Sequence, residues 1–202
     1  MRAKAICLCS EVIKVETKVK FIILMHPHEF KKVKNNTGRL THLSLINSEL
    51  IMSEGFNDNR RVNELISTTD SYILYPGIDS ISSNELQSGN KRPITVFIID
   101  ATWPCSKKLL RLSPNLRQLK KISFETKEKS IYQIKRQPKE NFLSTIESTR
   151  VLLSELNEAG IENIPKAKIE NFLAPFKKLI QIQIDYINNP NLEGYRRTKK
   201  DS

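Results

Sequence analysis

Short apolar runs that scarcely alternate with polar residues constrain the fold of this chain more than any other feature. Three of them are Val19–Met25, Ser71–Tyr75 and Ile94–Ile99. Strands of this kind are typically buried on both faces, as in parallel sheets. Segments with helical spacing separate them, so the sequence predicts an α/β fold in a single domain, with a mostly parallel sheet that helices cover.

Turn and capping signals place the remaining elements. Ser144 and Glu147 have the spacing of a capping box, which predicts a helix that ends at Gly160. Pro104 suits the first turn of another helix, because a proline there lacks only an N–H that would have no partner. The other predicted elements are a helix after Asn36 with Leu40, Leu43 and Leu45 on its apolar face, a helix over 166–187, strands over 49–52, 121–124 and 131–134, and a loop over 79–92.

The charge of the chain is strongly basic and unevenly distributed. Its 33 lysines and arginines outnumber 22 acidic residues, which gives a net charge of +11. Eleven of the basic residues and three of the acidic ones lie in 107–140, so this segment alone carries +8. Such a segment neutralises phosphates and predicts RNA as a partner, although a solvated basic face has the same composition. The candidate RNA contacts are Lys107, Lys108, Arg111, Lys120, Lys121, Lys135 and Arg136.

Several classes of protein are disfavoured by what the sequence lacks. No apolar run approaches the roughly 20 residues of a membrane span, and no apolar region follows the basic N-terminus as in a signal peptide. We therefore expect a cytoplasmic protein with no membrane contact and no obligate protein partner. The spacing of Cys7 and Cys9 suits two zinc ligands, but a structural site needs four. Three cysteines cannot form a disulfide framework, so we expect reduced thiols and no bound metal.

The apolar run Ile94–Ile99 ends abruptly at Asp100, and Trp103, the only tryptophan in the chain, follows closely. Ligands of parallel α/β sheets bind beyond the carboxyl ends of the strands, where this pair would stand. Asp100 is either a general base, or a carboxylate that opposes a positive centre, or only a cap of the next helix. Trp103 either offers a flat face to a base or a sulfonium cation, or fills the core.

Two further segments carry candidate binding groups. Asn36–Arg39 places a turn glycine and an arginine at a helix start, which suits a phosphate or a carboxylate. Tyr132–Pro138 combines an aromatic ring with two cations, which suits an RNA backbone or a basic edge strand. The glycine-rich motifs of dinucleotide-binding domains and P-loops are lacking.

Taken in chain order, these pieces resemble the signature of the DTW-domain family. Each piece is unspecific alone, but their common order covers the chain from about Cys7 to the helix after Glu147. The pieces are Cys7–Cys9, His26–Glu29, Asn36–Arg39, Tyr75–Gly77, Asp100–Trp103 with Ser113 and Pro114, and Tyr132–Pro138 followed by Leu143–Glu147.

The resemblance implies a tRNA-uridine aminocarboxypropyltransferase. Such an enzyme moves the 3-amino-3-carboxypropyl group of S-adenosylmethionine to N3 of a uridine in tRNA and releases methylthioadenosine. The resemblance also implies a SPOUT-like α/β fold whose knotted C-terminal half holds the cofactor. We expect residues 1–190 to form this domain and residues 191–202 to form a basic, flexible tail. An S-adenosylmethionine-dependent RNA methyltransferase and a non-catalytic RNA-binding protein stay open as alternatives.

The resemblance also implies roles for individual residues. Asp100 would be the general base toward uracil N3, with Thr102 and Trp103 completing the catalytic group. Either Arg39 or Arg136 would clamp the carboxylate of the cofactor. The implied cofactor-binding residues are Tyr75, Pro76, Gly77, Arg39, Leu143, Ser144 and Thr145. Two departures from the family stand out: no Cys-x-x-Cys precedes Cys7, which argues against zinc, and Pro104-Cys105 replaces residues that are usually polar or alanine.

Overall fold

The structure, a computed structural model, describes residues 7–27, 36–86, 92–126, 128–132 and 142–189. Within these ranges the strands form one six-stranded sheet of order β2-β1-β5-β3-β6-β4, and every pair of neighbours is parallel. The prediction of a mostly parallel sheet is therefore confirmed. The strands are β1 (Lys20–Met25), β2 (Ser48–Met52), β3 (Asp70–Leu74), β4 (Ile81–Ser82), β5 (Ile94–Asp100) and β6 (Lys120–Ser123).

Seven α-helices in the described ranges cover both faces of this sheet. They are α1 (Thr37–Ser44), α2 (Arg60–Thr68), α3 (Trp103–Arg111), α4 (Pro114–Arg117), α5 (Thr145–Glu158), α6 (Lys166–Glu170) and α7 (Ala174–Asn188). Helices α1, α5, α6 and α7 share one face, where Phe176 of α7 belongs to the same buried cluster as Phe21 of β1. Helices α2, α3 and α4 share the other, where Leu109 of α3 clusters with Phe97 of β5. This two-sided cover explains why the central strands are apolar throughout.

Strands β1 and β5 end side by side, since Met25 is the register partner of Asp100. The helices that follow them lie on opposite faces of the sheet: α1 follows β1, and α3 follows β5. In open parallel sheets a crevice forms where the connections diverge in this way, and ligands bind there. A ligand-binding site is therefore expected at the carboxyl ends of β1 and β5.

Some predicted elements differ from the structure. The predicted loop over 79–92 contains β4 and a 3-10 turn at Ser83–Glu85. The predicted helix over 166–187 is divided into α6 and α7 shortly before Pro175, whose ring cannot continue a helical hydrogen-bond pattern. In the predicted strand over 131–134, the first two residues are not in a strand, and the other two lie outside the described residues.

The apolar face predicted for α1 is also only partly right. Leu40 and Leu45 are buried, but Leu43 is 46% exposed and points away from the core. Helix α2 was not predicted; Asn59 begins it by accepting a hydrogen bond from the Val62 N–H at 3.0 Å. In the described part of the chain, no helix has the length and apolar character that crossing a membrane requires.

Candidate active site

Asp100 is the last residue of β5, and its carboxylate lies between the first turns of two helices. Thr145 Oγ1, at the start of α5, donates a 2.6 Å hydrogen bond to Asp100 Oδ1. On the other side, a Cβ added to Gly38 of α1 would lie only 2.5 Å from Asp100 Cγ. Because residue 38 has no side chain, α1 approaches the carboxylate closely. Asp100 is consequently only 4% exposed although it ends its strand.

Asp100 does not occupy the capping position of the helix that follows it. Thr102 is the N-cap residue of α3, and its side chain makes no capping hydrogen bond. The carboxylate instead faces the N-termini of α1 and α5, where the partial positive charge of the helix favours an anion. Its surroundings therefore come from three separate elements: β5, α1 and α5.

Trp103, the first residue of α3, lies between two other aromatic rings. Its ring centroid is 4.7 Å from that of Phe142, with 32° between the planes. The ring of Tyr75, just after β3, is 5.8 Å away at 60°. All three residues are half-buried, so the indole belongs to an aromatic wall beside the carboxyl end of β5 and is not simply core filling.

Phe142 was missed in the sequence. The available signal was weak: an aromatic residue two positions before a capping box, in a segment whose neighbours already matched a motif. Its importance comes from pairing. Trp103 contacts Phe142 and Asp100 contacts Thr145, so segments 100–103 and 142–145 lie side by side in opposite directions. Each segment therefore fixes the position of the other.

The loop that leaves β3 carries three of the predicted cofactor-binding residues. The Tyr75 N–H donates to the Ile122 carbonyl at 3.0 Å, which anchors the loop to β6. Pro76 and Gly77 are exposed. A Cβ added to Gly77 would lie 3.4 Å from Lys121 Cδ, so the side chain of Lys121 runs beside this loop.

The predicted anion-binding turn Asn36–Arg39 is a capped helix start. Asn36 Oδ1 accepts a hydrogen bond from the Arg39 N–H at 3.1 Å, in the first turn of α1. Arg39 directly follows Gly38, which contacts Asp100, and its side chain is half-buried. The turn therefore places the backbone of Arg39 next to the glycine that packs on the buried carboxylate.

The start of α5 confirms the predicted capping box. The Ser144 N–H donates to Glu147 Oε2 at 2.7 Å. Leu143 and Ser144 are half-buried. They lie between Phe142, which contacts Trp103, and Thr145, which contacts Asp100. The helix ends as predicted at Gly160, whose φ of 72° favours glycine.

The predicted RNA contacts fall into two groups. Lys107, Lys108 and Arg111 are exposed on α3, where Lys108 Nζ lies 3.8 Å from Glu54 Oε2. The first two residues of β6 are Lys120, which is exposed, and Lys121, which is half-buried. Strand β3 lies between them and β5. The two remaining predicted contacts, Lys135 and Arg136, lie outside the described residues.

The described ranges hold no group of three or more histidine, cysteine, aspartate or glutamate side chains placed to bind a metal ion. Cys7 and Cys9 are both exposed, and Cys105 is half-buried. None of the three cysteines is in a disulfide.

Comparison with known proteins finds similarity over most of the chain. A relative from Drosophila melanogaster, named tRNA-uridine aminocarboxypropyltransferase 2, is 28% identical over 171 residues, which is 82% of this chain and 65% of the relative. Proteins of the same name from Macaca fascicularis and Mus musculus are 26% and 27% identical, each over 92% of this chain and 62% of the relative. The chain thus spans a little under two thirds of the length of these curated relatives.

The family comparison agrees with this similarity. The family model described as DTW domain matches residues 1–184, which include β1 to β6 and the segments that surround Asp100. The matched span takes in most of the 202 residues, and the chain belongs to the DTW-domain family.

Proposed function

We propose that this chain is a tRNA-uridine aminocarboxypropyltransferase, which transfers the 3-amino-3-carboxypropyl group of S-adenosylmethionine to N3 of a uridine in tRNA. The observation that carries the proposal is the junction between Asp100–Trp103 and segment 142–145 at the carboxyl edge of the sheet. The names and coverage of the curated relatives support it. We place the reaction in the cytoplasm.

The described residues fit S-adenosylmethionine in chemical type. The rings of Tyr75 and Trp103 offer flat apolar surface to a planar adenine and to a sulfonium cation. Arg39 supplies a cation that matches the carboxylate of the amino acid moiety. When bound, S-adenosylmethionine supplies an electrophilic carbon attached to a leaving group of its own. We assign Pro76, Gly77, Leu143 and Ser144 to the walls of this cofactor pocket.

Asp100 is the proposed general base. It accepts the N3 proton of uracil while N3 forms its bond to the γ-carbon of the transferred group. The carbon–sulfur bond breaks, and its electron pair stays on sulfur in the leaving methylthioadenosine. Because Asp100 is buried, water has little access to its carboxylate. Its electrostatic interactions with the substrate are therefore only weakly screened.

Thr145 is predicted from the sequence to bind the cofactor, and its contact with Asp100 supports a second role. Its hydroxyl donates to Asp100 Oδ1 at 2.6 Å, so we also assign it to orienting the base. We assign Thr102, which is exposed at the N-cap of α3, and Trp103 to the substrate side of the same segment. The chain in this way orients a proton acceptor and a stacking surface together.

The exposed cations of α3 are the proposed tRNA contacts nearest to the site. Lys107 and Arg111 follow Trp103 at intervals of four residues along one helix, which places them along neighbouring turns. Lys121, beside the Tyr75–Gly77 loop, adds a cation on the other side of the aromatic wall. Contacts of this type bind phosphates irrespective of sequence and position the target nucleotide.

The test is a mass-spectrometric assay of tRNA nucleosides after incubation with S-adenosylmethionine. Wild type is compared with Asp100→Ala and with Asp185→Ala, a control that removes an exposed aspartate from α7. We expect aminocarboxypropyl-uridine and methylthioadenosine from wild type and control, and a loss of about 10²–10⁴-fold in Asp100→Ala. Methylated uridine with S-adenosylhomocysteine, or unmodified tRNA that still binds, would refute the proposal.

A further inference from the structure

Glu147, in the first turn of α5, is a buried carboxylate that accepts hydrogen bonds from four donor groups. It is only 4% exposed. The N–H and the hydroxyl of Ser144 donate to Oε2 at 2.7 and 2.5 Å. The Ile131 N–H donates to Oε1 at 2.7 Å, and the Ser130 hydroxyl lies 3.1 and 2.9 Å from Oε1 and Oε2. Both carboxylate oxygens are therefore used.

This arrangement does more than cap a helix. A capping box requires of its glutamate only that it accept the N–H of the N-cap residue, here Ser144. The donors Ser130 and Ile131 belong to a separate segment, which is fixed in turn because Tyr132 packs edge-on against Phe176 with centroids 5.1 Å apart. Glu147 thus connects the segment 128–132 to the start of α5, and Tyr132 of this segment contacts Phe176 of α7.

The start of α5 is where the two halves of the candidate site meet. Ser144, which Glu147 holds, immediately precedes Thr145, the donor to Asp100 Oδ1. Two residues before Ser144, the ring of Phe142 contacts Trp103. A shift of Ser144 would therefore be transmitted to both contacts at once.

We propose that Glu147 is a positioning residue for the transfer reaction, acting through Thr145 on Asp100 and through Phe142 on Trp103. This inference rests on the proposed function for its kinetic readout, but not for its spectroscopic one. Each carboxylate oxygen faces a backbone N–H, that of Ile131 at Oε1 and that of Ser144 at Oε2, and a backbone N–H can only donate. In Glu147→Gln an amide NH₂ would face a donor and leave buried groups unpaired.

Glu162 provides a matched control. It is also 4% exposed, and it accepts hydrogen bonds from the N–H groups of Lys18 and Val19 at 3.0 and 2.8 Å. These groups lie just before β1, at the opposite end of the sheet from Asp100. Glu162→Gln therefore makes the same chemical change at a buried carboxylate that does not touch the site.

The experiment measures both variants in two ways. Trp103 is the only tryptophan, so the emission of the protein reports directly on its junction with Phe142. We expect Glu147→Gln to shift this emission to longer wavelength and to increase acrylamide quenching. We also expect kcat to fall about 10²-fold, the usual effect of a small misplacement, with the KM for tRNA nearly unchanged. Glu162→Gln should retain wild-type emission and kcat.

Wild-type emission and kcat in Glu147→Gln would overturn the proposal, and so would equal losses in Glu162→Gln. If the wild type transfers no aminocarboxypropyl group, the proposed function fails, while the emission of the two variants still decides the positioning role. If Glu147→Gln does not fold, Ser130→Ala is the second variant, because it removes one donor and leaves the carboxylate. Wild-type emission in Ser130→Ala would then overturn the proposal.

Discussion

Gly38 is the position where the smallest change should have the largest effect on the candidate site. In Gly38→Ala the new Cβ would lie 2.5 Å from Asp100 Cγ, 2.6 Å from Oδ2 and 3.0 Å from Cβ. Carbon atoms in contact are normally about 3.5–4.0 Å apart, so the side chain of Asp100 or the start of α1 must move by about 1 Å. The backbone of the strand end resists this movement because β5 pairs with β1 as far as Asp100 and with β3 as far as Ile98.

The carboxylate is therefore the part that yields. A displacement of about 1 Å is enough to weaken the 2.6 Å hydrogen bond from Thr145, and misplacement on this scale typically costs about 10²-fold in rate. The effect on folding is smaller. Overpacking costs about 1–3 kcal/mol, and the helical preference of alanine over glycine offsets about 1 kcal/mol of it.

Gly160→Ala is the matched control for this variant. Gly160 ends α5 with a φ of 72°, and no atom lies within 4 Å of an added Cβ. Forcing alanine into this conformation costs about 1–2 kcal/mol, so the two variants should lose similar stability. Single-turnover transfer to tRNA is measured beside urea unfolding. A wild-type rate in Gly38→Ala, or an equal loss of rate in Gly160→Ala, would refute the reasoning.

Two other predictions concern binding and stability. Replacing Lys107 and Arg111 together by alanine should weaken the binding of all tRNAs to a similar extent. It should also reduce the slope of log K against log [salt] by about 2, which titrations at several salt concentrations would measure. An unchanged slope would exclude these two residues as phosphate contacts. The hydrogen bond from Arg61, with help from Lys20, lowers the pKa of Glu49 to about 2. Because this pKa is below its unfolded value, the stabilisation is present above about pH 4.5 and is lost as the pH falls toward 2. Glu49→Gln should thus lower the free energy of unfolding by about 1 kcal/mol at pH 7, a discounted value since both partners are partly exposed. The difference between variant and wild type should shrink steadily as the pH falls from about 4.5 toward 2. A difference that is as large at pH 2 as at pH 7 in urea titrations would contradict this.

The strands could be predicted because the cause of their pattern is local. In β5, burial on both faces requires apolar residues at successive positions, and the chain shows this directly up to Asp100. The start of α5 was equally readable, because a capping box is a contact between Ser144 and Glu147, which are three residues apart. The resemblance to the family then predicted that the candidate site lies at the strand ends that carry Tyr75 and Asp100.

The remaining elements could not be predicted because their causes are tertiary. Helix α2 is an exception, because Val62, Leu65 and Ile66 have the i, i+3, i+4 spacing of a short apolar face and the sequence analysis missed this local signal. Leu43 satisfies the spacing of the α1 apolar face but lies beyond the edge of the core. The contact of Phe142 with Trp103 joins residues that are 39 positions apart, and no local pattern specifies such a pairing.

The three carboxylates that are buried in the described ranges differ in what donates to them. Glu147 and Glu162 accept from backbone N–H groups, which have fixed directions and need an acceptor at all times. Asp100 instead accepts at Oδ1 from the hydroxyl of Thr145, and Gly38 packs closely against its side chain. A hydroxyl can rotate its hydrogen and can itself accept, so it tolerates a change in the protonation of its partner. We therefore keep Asp100 as the proposed proton acceptor and assign Glu147 and Glu162, each held by two backbone N–H groups, to holding the chain in place.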